Sequence, residues 1–522
     1  MSGVCASDGE GPGGLFSFEE IYKSYLECRK NKRNTINALA FEAALFDNLH
    51  SLTEALKQRT YVPSRSICFV VKQPKLREIF AADFRDRVVH HLLVRNLEQV
   101  FEPKFIGDSF ACRCGKGTLA GVKRLRQFMR KITCNGTREA WYLQLDVKGF
   151  FIAINKQILY RILSEKVKDE RVLWLARVII FHDPTKDYLF KGRRGLLDEI
   201  PPHKTLFSTA NLTGLPIGNL TSQFFANVYL DRLDQFVKHV LKVRYYVRYV
   251  DDLVMLDSTD AHFGEWQDGV NRFLGENLSL DLNDKRTRSG RVSGGVDFLG
   301  YIVRPGYMLV RRRSVNNLKA RLLEYERRLV ERRDGVTVYL YPLEILEDLL
   351  ATLNSYLAHF KHADTFRLAG ALFKKHSFLG VYFAPEGVKA IRRYPGRRHC
   401  ANYPSQVAAI RRCFKGAVCF IRIGKYYELY DEDAAFGVER LGLRLQKPRP
   451  GFGKRCGFHR SMLSRYVARA VGAGVCAVLV EEGREYIGGC KVRHVDRMVR
   501  PACPAGAVGR PACALHADRP IG

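Results

Sequence analysis

Tyr245-Tyr246-Val247-Arg248-Tyr249-Val250-Asp251-Asp252-Leu253-Val254-Met255-Leu256 reads as an apolar strand with two carboxylates at its centre. A strand that buries Tyr, Val and Leu ordinarily excludes carboxylates, so Asp251 and Asp252 need an explanation. A second apolar strand, AWYLQLDV over residues 140–147, carries one acidic residue, Asp146, near its end, 105 residues before Asp251. If the two are neighbours in one sheet, Asp146 and Asp251 converge on one edge and repel unless cations lie between them. Two Mg²⁺ ions about 3.5–4 Å apart, shared with a nucleoside triphosphate, satisfy that requirement and activate a 3′-hydroxyl for in-line attack. The chemistry implied is nucleotidyl transfer.

The 522 residues predict three or four domains, and 46% hydrophobic content is enough for real cores. Lys and Arg total 85 against 54 for Asp and Glu, a net charge of +31. A surplus of that size points to a polyanionic partner, since each cation placed on a phosphate releases condensed counterions. It excludes acidic, disordered and collagen-like classes. No apolar run reaches membrane-spanning length, and MSGVCASDGEGPGG lacks a basic and then an apolar segment, so a soluble, cytoplasmic protein without a membrane partner is expected. Fourteen scattered cysteines with one close pair, Cys112 and Cys114, read as reduced thiols.

The spacing of apolar residues predicts two entry helices between Phe16 and Leu56 and an amphipathic helix over 83–101. ICFVV, residues 67–71, begins a strand pair with a turn at Gln73-Pro74, giving a basic hairpin with Lys72, Lys75 and Arg77. Beyond Gly300 two helical stripes, Leu318, Leu322, Tyr325, Leu329 and Leu346, Leu350, Leu353, Leu357, predict a small bundle. Residues 1–15 and 501–522 are expected to be disordered, and 385–405, rich in Pro, Gly and Arg, to be a linker.

Tyr249-Val250-Asp251-Asp252 between apolar flanks resembles the signature of reverse transcriptases, and the resemblance runs from about Phe16 to Ala363. It implies an α+β right-hand polymerase, with fingers and an antiparallel-sheet palm over 16–310 and a helical thumb over 311–384. Asp146, Asp251 and Asp252 become the catalytic residues, and Asp146, Val147, Asp251 and Asp252 the set that holds two Mg²⁺ ions. PKLREI, residues 74–79, resembles the fingers segment whose Lys75 and Arg77 grip the triphosphate. FRDRVVHHLL and FIGDSFACRCGKGT resemble the segments that follow it. In LDVKGFF, Phe151 stands where the family closes an aromatic ring against the sugar 2′ position, which makes DNA the product. Leu282-Asn283-Asp284-Lys285 resembles the segment whose lysine, here Lys285, approaches the triphosphate. VDFLGYIV (296–303) resembles the primer grip, and NSYLAHFKHA (354–363) the thumb helix of the group II intron-like branch.

Leu215-Pro216-Ile217-Gly218-Asn219-Leu220-Thr221-Ser222-Gln223 narrows the resemblance. Most bacterial relatives have Gln-Gly and then Ser-Pro in this motif beside the templating base and incoming nucleotide. Ile217 and Gln223, with Gly218 between, resemble the enzymes of diversity-generating retroelements, which copy a template RNA into cDNA with errors at adenines. Isoleucine cannot make glutamine's hydrogen bonds, so looser discrimination follows physically. The partners implied are template RNA, cDNA and dNTP substrates, and the resemblance allows for a small basic accessory variability protein. Other readings are a reverse transcriptase of phage defence or intron mobility and a catalytically idle RNA-binding scaffold.

VCFIRIGKYYELYDEDA (418–434) and CGFHRSMLSRYVARAVGAGVCAVLVEE (456–482) resemble the mismatch-recognition domain of MutS proteins. The expectation is a small α/β nucleic-acid-binding domain over 406–500. Tyr426-Tyr427-Glu428 stands in place of the family's Phe-Tyr-Glu, with Tyr426 as the wedge and Glu428 as acceptor from a base. Tyrosine keeps the stacking face and adds a hydroxyl.

Overall fold

A computed structural model describes residues 14–30, 35–72, 75–210, 212–333, 335–387, 389–395 and 402–501. The expected turn at Gln73-Pro74, the tail after Pro501 and all but the end of the N-terminal 1–15 segment lie outside the described residues. The chain divides into two compact units, residues to 299 with 303–306, and 300–302 with those from 307 onward. No helix among the described residues is long and apolar enough to cross a membrane.

In the first unit, Phe16 to Leu56 yields three helices, Phe18–Arg29, Ile36–Ala43 and Leu45–Lys57, because Ala44 leaves helical geometry at φ −129°, ψ 50°. The helix expected over 83–101 spans Phe84–Phe101, and Asp83 caps it by accepting from the Arg85 N–H. Strands β1 (Ser66–Val71) and β2 (Arg77–Ala81) pair antiparallel, and β4 (Tyr188–Phe190) joins β1 in parallel. The central sheet contains β3 (Trp141–Asp146), β5 (Tyr245–Tyr249), β6 (Asp252–Asp257) and β7 (Arg288–Arg291), in the order β5-β6-β3-β7, all antiparallel. Helix Leu220–His239 is buried along most of its length beside this sheet.

The segment 245–256, expected as one strand, is a hairpin. Tyr249 pairs with Asp252, so Val250 and Asp251 form the turn. Val250 has φ 53°, a left-handed conformation costing a β-branched residue about 1–2 kcal/mol. The reason lies two residues earlier. Arg248 is wholly buried; its guanidinium bonds Asp234 of helix Leu220–His239 at 2.6 and 2.8 Å and donates to the Val250 carbonyl at 3.2 Å. Tyr246 Oη donates to the same Asp234 carboxylate at 2.8 Å. The Arg248 backbone is fixed too, donating to Asp108 O and accepting from the Phe110 N–H, both at 3.0 Å. The turn is therefore placed by a buried charge that reaches forward to its carbonyl.

Three short strands, β8 (Val296–Phe298), β9 (Tyr301–Val303) and β10 (Met308–Val310), mark the passage to the second unit. There the helix Arg312–Leu329 buries Leu318, Leu322, Tyr325 and Leu329, the stripe read from sequence. Helix Leu343–Phe360 buries Leu346, Leu349, Leu353 and Leu357, with Leu349 in the place expected for Leu350. Between these helices runs a hairpin, β11 (Val330–Arg333) and β12 (Val336–Leu340). The segment expected to be a linker contributes to a second hairpin, β13 (Phe383–Glu386) and β14 (Lys389–Arg392), and Asn354 bonds both the N–H and the carbonyl of Ala390.

The C-terminal strands are β15 (Val418–Ile423), β16 (Tyr426–Tyr430), β17 (Leu445–Gln446), β18 (Arg455–His459), β19 (Ala477–Ile487) and β20 (Cys490–Pro501). They continue the hairpin into one eight-stranded sheet, β11-β12-β20-β19-β15-β16-β18-β17, with β15 and β19 parallel. β12 pairs with β20 from Val336↔Pro501 to Leu340↔Arg497, so the expected thumb and the C-terminal segment share a sheet.

Arg248→Met should lower unfolding stability of the first unit by about 3–5 kcal/mol, because it strands a buried Asp234 carboxylate. Adding Asp234→Leu should recover much of that loss, which a denaturant double-mutant cycle would measure. Additive losses would show that the pair does not act as one group.

Candidate active site

Asp146 closes β3 directly opposite Asp252, the first residue of β6, and Asp251 lies in the adjoining turn. The sheet thus brings all three expected carboxylates to one edge. The Val147 N–H donates to Asp251 O at 3.3 Å, and Val147 forms a β-bridge with Leu282. Its side chain is buried and has no donor atom, so only its backbone carbonyl could serve a metal.

Asp146 is 5% exposed, and its carboxylate is already engaged. Asn283 Nδ2 donates to it at 2.9 Å and Arg286 Nη1 at 3.1 and 3.2 Å. Burial and then the Asp146 charge push the Asp251 carboxyl above the usual range, against the pull of Arg77 and Lys75. Burial lowers the Lys75 ammonium, helped by Arg286 and Arg77 and opposed by Asp146 and Asp251. Lys75 and Arg77 therefore share one electrostatic neighbourhood with the acidic edge.

Among the described residues no group of three or more His, Cys, Asp or Glu side chains is gathered to hold a metal. The donor chemistry nevertheless suits Mg²⁺, which takes one or two carboxylates and completes its octahedron with water and substrate phosphates. A site with few protein oxygens is what such an ion requires.

Phe151 lies in a short helix, Phe150–Ala153, after Gly149 at φ 54°; it is half-buried, with its ring centroid 5.4 Å from Phe150. Its carbonyl accepts the Leu215 N–H at 2.8 Å, joining it to the 215–223 motif. That motif is fastened to β2: Ile217 O accepts from the Phe80 N–H at 2.9 Å and Asn219 Oδ1 from the Ala82 N–H at 3.0 Å. Gly218 between them has φ 125°, and a Cβ there would stand 2.7 Å from Ile79 Cγ2 and 3.1 Å from Phe80 O. Only glycine allows the contact. Ile217 is half-buried, whereas Gln223 and Lys285 are exposed. Lys285 lines an open cleft of about 740 Å³ with Lys148, His203, Lys204, Asn283 and Arg286.

Sequence reasoning missed Arg248, Asn283 and Arg286. An arginine inside an apolar strand was the available signal for the first, and the cation after Lys285 for the last.

In the second unit the Tyr426-Tyr427-Glu428 triplet divides. Tyr426 is 52% exposed, with His459 edge-on at 5.6 Å, while Tyr427 is buried and its hydroxyl donates to Glu481. Glu428 is 5% exposed, salt-bridged to Arg449 at 2.8 Å and Arg455 at 3.2 Å, and accepts from the Tyr430 hydroxyl. Burial would raise this carboxyl, but Arg449, Tyr430 and Arg455 outweigh it and hold the group below its usual range. Gly457, opposite Glu428 in β18, leaves room; a Cβ there would stand 2.8 Å from Tyr427 O. Tyr426 thus offers a free ring face, whereas the Glu428 oxygens already have donors.

Residues 70–303 match the family described as reverse transcriptase (RNA-dependent DNA polymerase), and residues 403–503 match MutS domain I. Protein YkfC of Escherichia coli is 22% identical over 313 residues, 53% of this chain and 75% of that protein. Group II intron-encoded protein LtrA of Lactococcus lactis is 22% identical over 351 residues, 54% of each, so the chain spans about half of that relative's length. The apo telomerase of Candida tropicalis, truncated from its C-terminal domain, aligns with 12% identity and TM-score 0.35 over 51% of this chain and 60% of that one, too slight a likeness to carry an argument. The chain thus contains a segment that matches the reverse transcriptase (RNA-dependent DNA polymerase) family and is similar to group II intron-encoded proteins, followed by a segment matching MutS domain I.

Proposed function

We propose that this protein copies a template RNA into cDNA at a site built from Asp146, Asp251 and Asp252. The observation that carries this is the register placing Asp146 opposite Asp252 with Asp251 in the turn, beside Lys75 and Arg77. Bound Mg²⁺ would supply Lewis-acid activation of the primer hydroxyl and neutralise charge on the triphosphate. Lys75 and Arg77 then grip the triphosphate as charge-assisted donors, and Phe151 walls off the 2′ position. Residues 16–310 take the roles of fingers and palm, and 311–384 that of the thumb, in the cytoplasm. Asp251→Asn or Asp252→Asn should reduce primer extension on an RNA template by about a hundredfold or more, with RNA binding retained because it rests on Lys and Arg. Wild-type extension by either variant would sink the assignment.

Within this reading the enzyme is error-prone at template adenines, as in diversity-generating retroelements. The support is Ile217, whose side chain offers no hydrogen bond to a nascent base pair. A second reading, intron mobility, is favoured by the intron-encoded relative from Lactococcus. Ile217→Gln with Gln223→Pro should lower misincorporation opposite adenine more than opposite other bases, read by sequencing the cDNA. An unchanged adenine error rate would favour intron mobility.

For the C-terminal segment the reading is preferential binding of mispaired duplex, supported by the match to MutS domain I and the exposed ring of Tyr426. Mispaired steps unstack at lower cost, so an aromatic wedge prefers them. In the full chain Tyr426→Ala should remove about a tenfold preference for mismatched over matched duplex in gel-shift titrations, while salt-sensitive general affinity persists. Equal wild-type affinity for both duplexes would reduce the segment to a basic tether.

A further inference from the structure

Three features of the acidic edge bear on its state before substrate arrives. The Asp146 carboxylate is nearly sealed from solvent, its side chain 7% exposed, and a like charge on Asp251 lies close by. Its counter-charge is Arg286, whose own side chain is 47% exposed. The base of Arg286 is pinned: its N–H donates to Asn283 O at 2.8 Å, and the Asn283 N–H donates to Asp146 O at 2.8 Å. The guanidinium is therefore aimed at the carboxylate by a rigid turn while its far end faces water.

We propose that Arg286 is a displaceable internal counter-ion, closing on Asp146 in the free enzyme and competing with a divalent cation for the same two oxygens. This rests on the reading that Asp146 is a metal ligand. Both oxygens of Asp146 lie at 3.1–3.2 Å from Arg286 Nη1, so a cation approaching both of them from that side meets the guanidinium's like charge and must displace it. The side chain has somewhere to go. Arg286 also lines the open cleft in which Lys148, Lys204 and Lys285 outnumber Asp281 and Asp284, so a released guanidinium enters a lining of net positive charge that a polyanion such as a triphosphate neutralises. The device keeps mutually repelling carboxylates folded together without metal and makes opening of the site favourable when cation and polyphosphate arrive together.

Mn²⁺ titration of the full chain without nucleotide, followed by electron paramagnetic resonance, tests this. Arg286→Ala and the similarly sized, uncharged Arg286→Gln should bind Mn²⁺ about tenfold more tightly than wild type. Arg286→Lys, which keeps the charge but loses the planar fork, should fall between. The metal-free melting temperature of the uncharged variants should drop, and their Mn²⁺-induced rise should exceed that of wild type. Equal or weaker Mn²⁺ binding by both uncharged variants overturns the competition while leaving the metal site intact. Wild-type binding unaffected by Asp146→Asn overturns both the competition and the reading beneath it.

Discussion

The ion pair between Arg248 and Asp234, both fully buried, is the constraint on which the acidic edge depends. A buried pair is rarely worth more than apolar side chains of the same volume, because desolvating two charges offsets most of their attraction. Its value here is positional. Arg248 has one place to put its charge, so strand β5 has one register against helix Leu220–His239, and a slip of one residue would drive the guanidinium to the other face of the sheet. With the register fixed, the arginine's remaining donor reaches the Val250 carbonyl and supports a turn that a β-branched residue would not adopt alone. The left-handed Val250 is what directs Asp251 beside Asp146.

The carboxylates were legible because acidic residues in apolar strands stand out against the cost of burial. Leu318, Leu322, Tyr325 and Leu329 were legible for the complementary reason, since helical spacing directly reports a buried face. The hairpin within 245–256 was not, because its turn has neither Gly, Pro nor Asn and is supported by the Arg248 side chain, itself held by Asp234 of a neighbouring helix. Leu349 replaces Leu350 in the second stripe, both being leucines at spacings a helix accepts. Arg286 escaped notice among 85 basic residues, since charge alone does not say which cation meets which anion.

The same limit applies to the C-terminal triplet. Strand alternation separates Tyr427 from its neighbours, but the division between Tyr426 and Glu428, on one face, comes from Arg449 in the loop before β18 and Arg455 at the start of β18. Only Tyr426, at the strand's end beyond the reach of those arginines, keeps an open face. Pairing of β12 with β20 was hidden for a similar reason, as strands more than 150 residues apart carry no mutual signature in sequence.

That pairing has a mechanical meaning. Five consecutive residue pairs join β12 to β20, and β12 is framed by the helices Arg312–Leu329 and Leu343–Phe360. A displacement along the strands loads this ladder in shear, so its hydrogen bonds must fail together rather than one at a time. The C-terminal strands are thus tied to the two helices by one continuous sheet, and a force felt at the ring of Tyr426 passes across the β16-β15-β19-β20-β12 ladders to reach them.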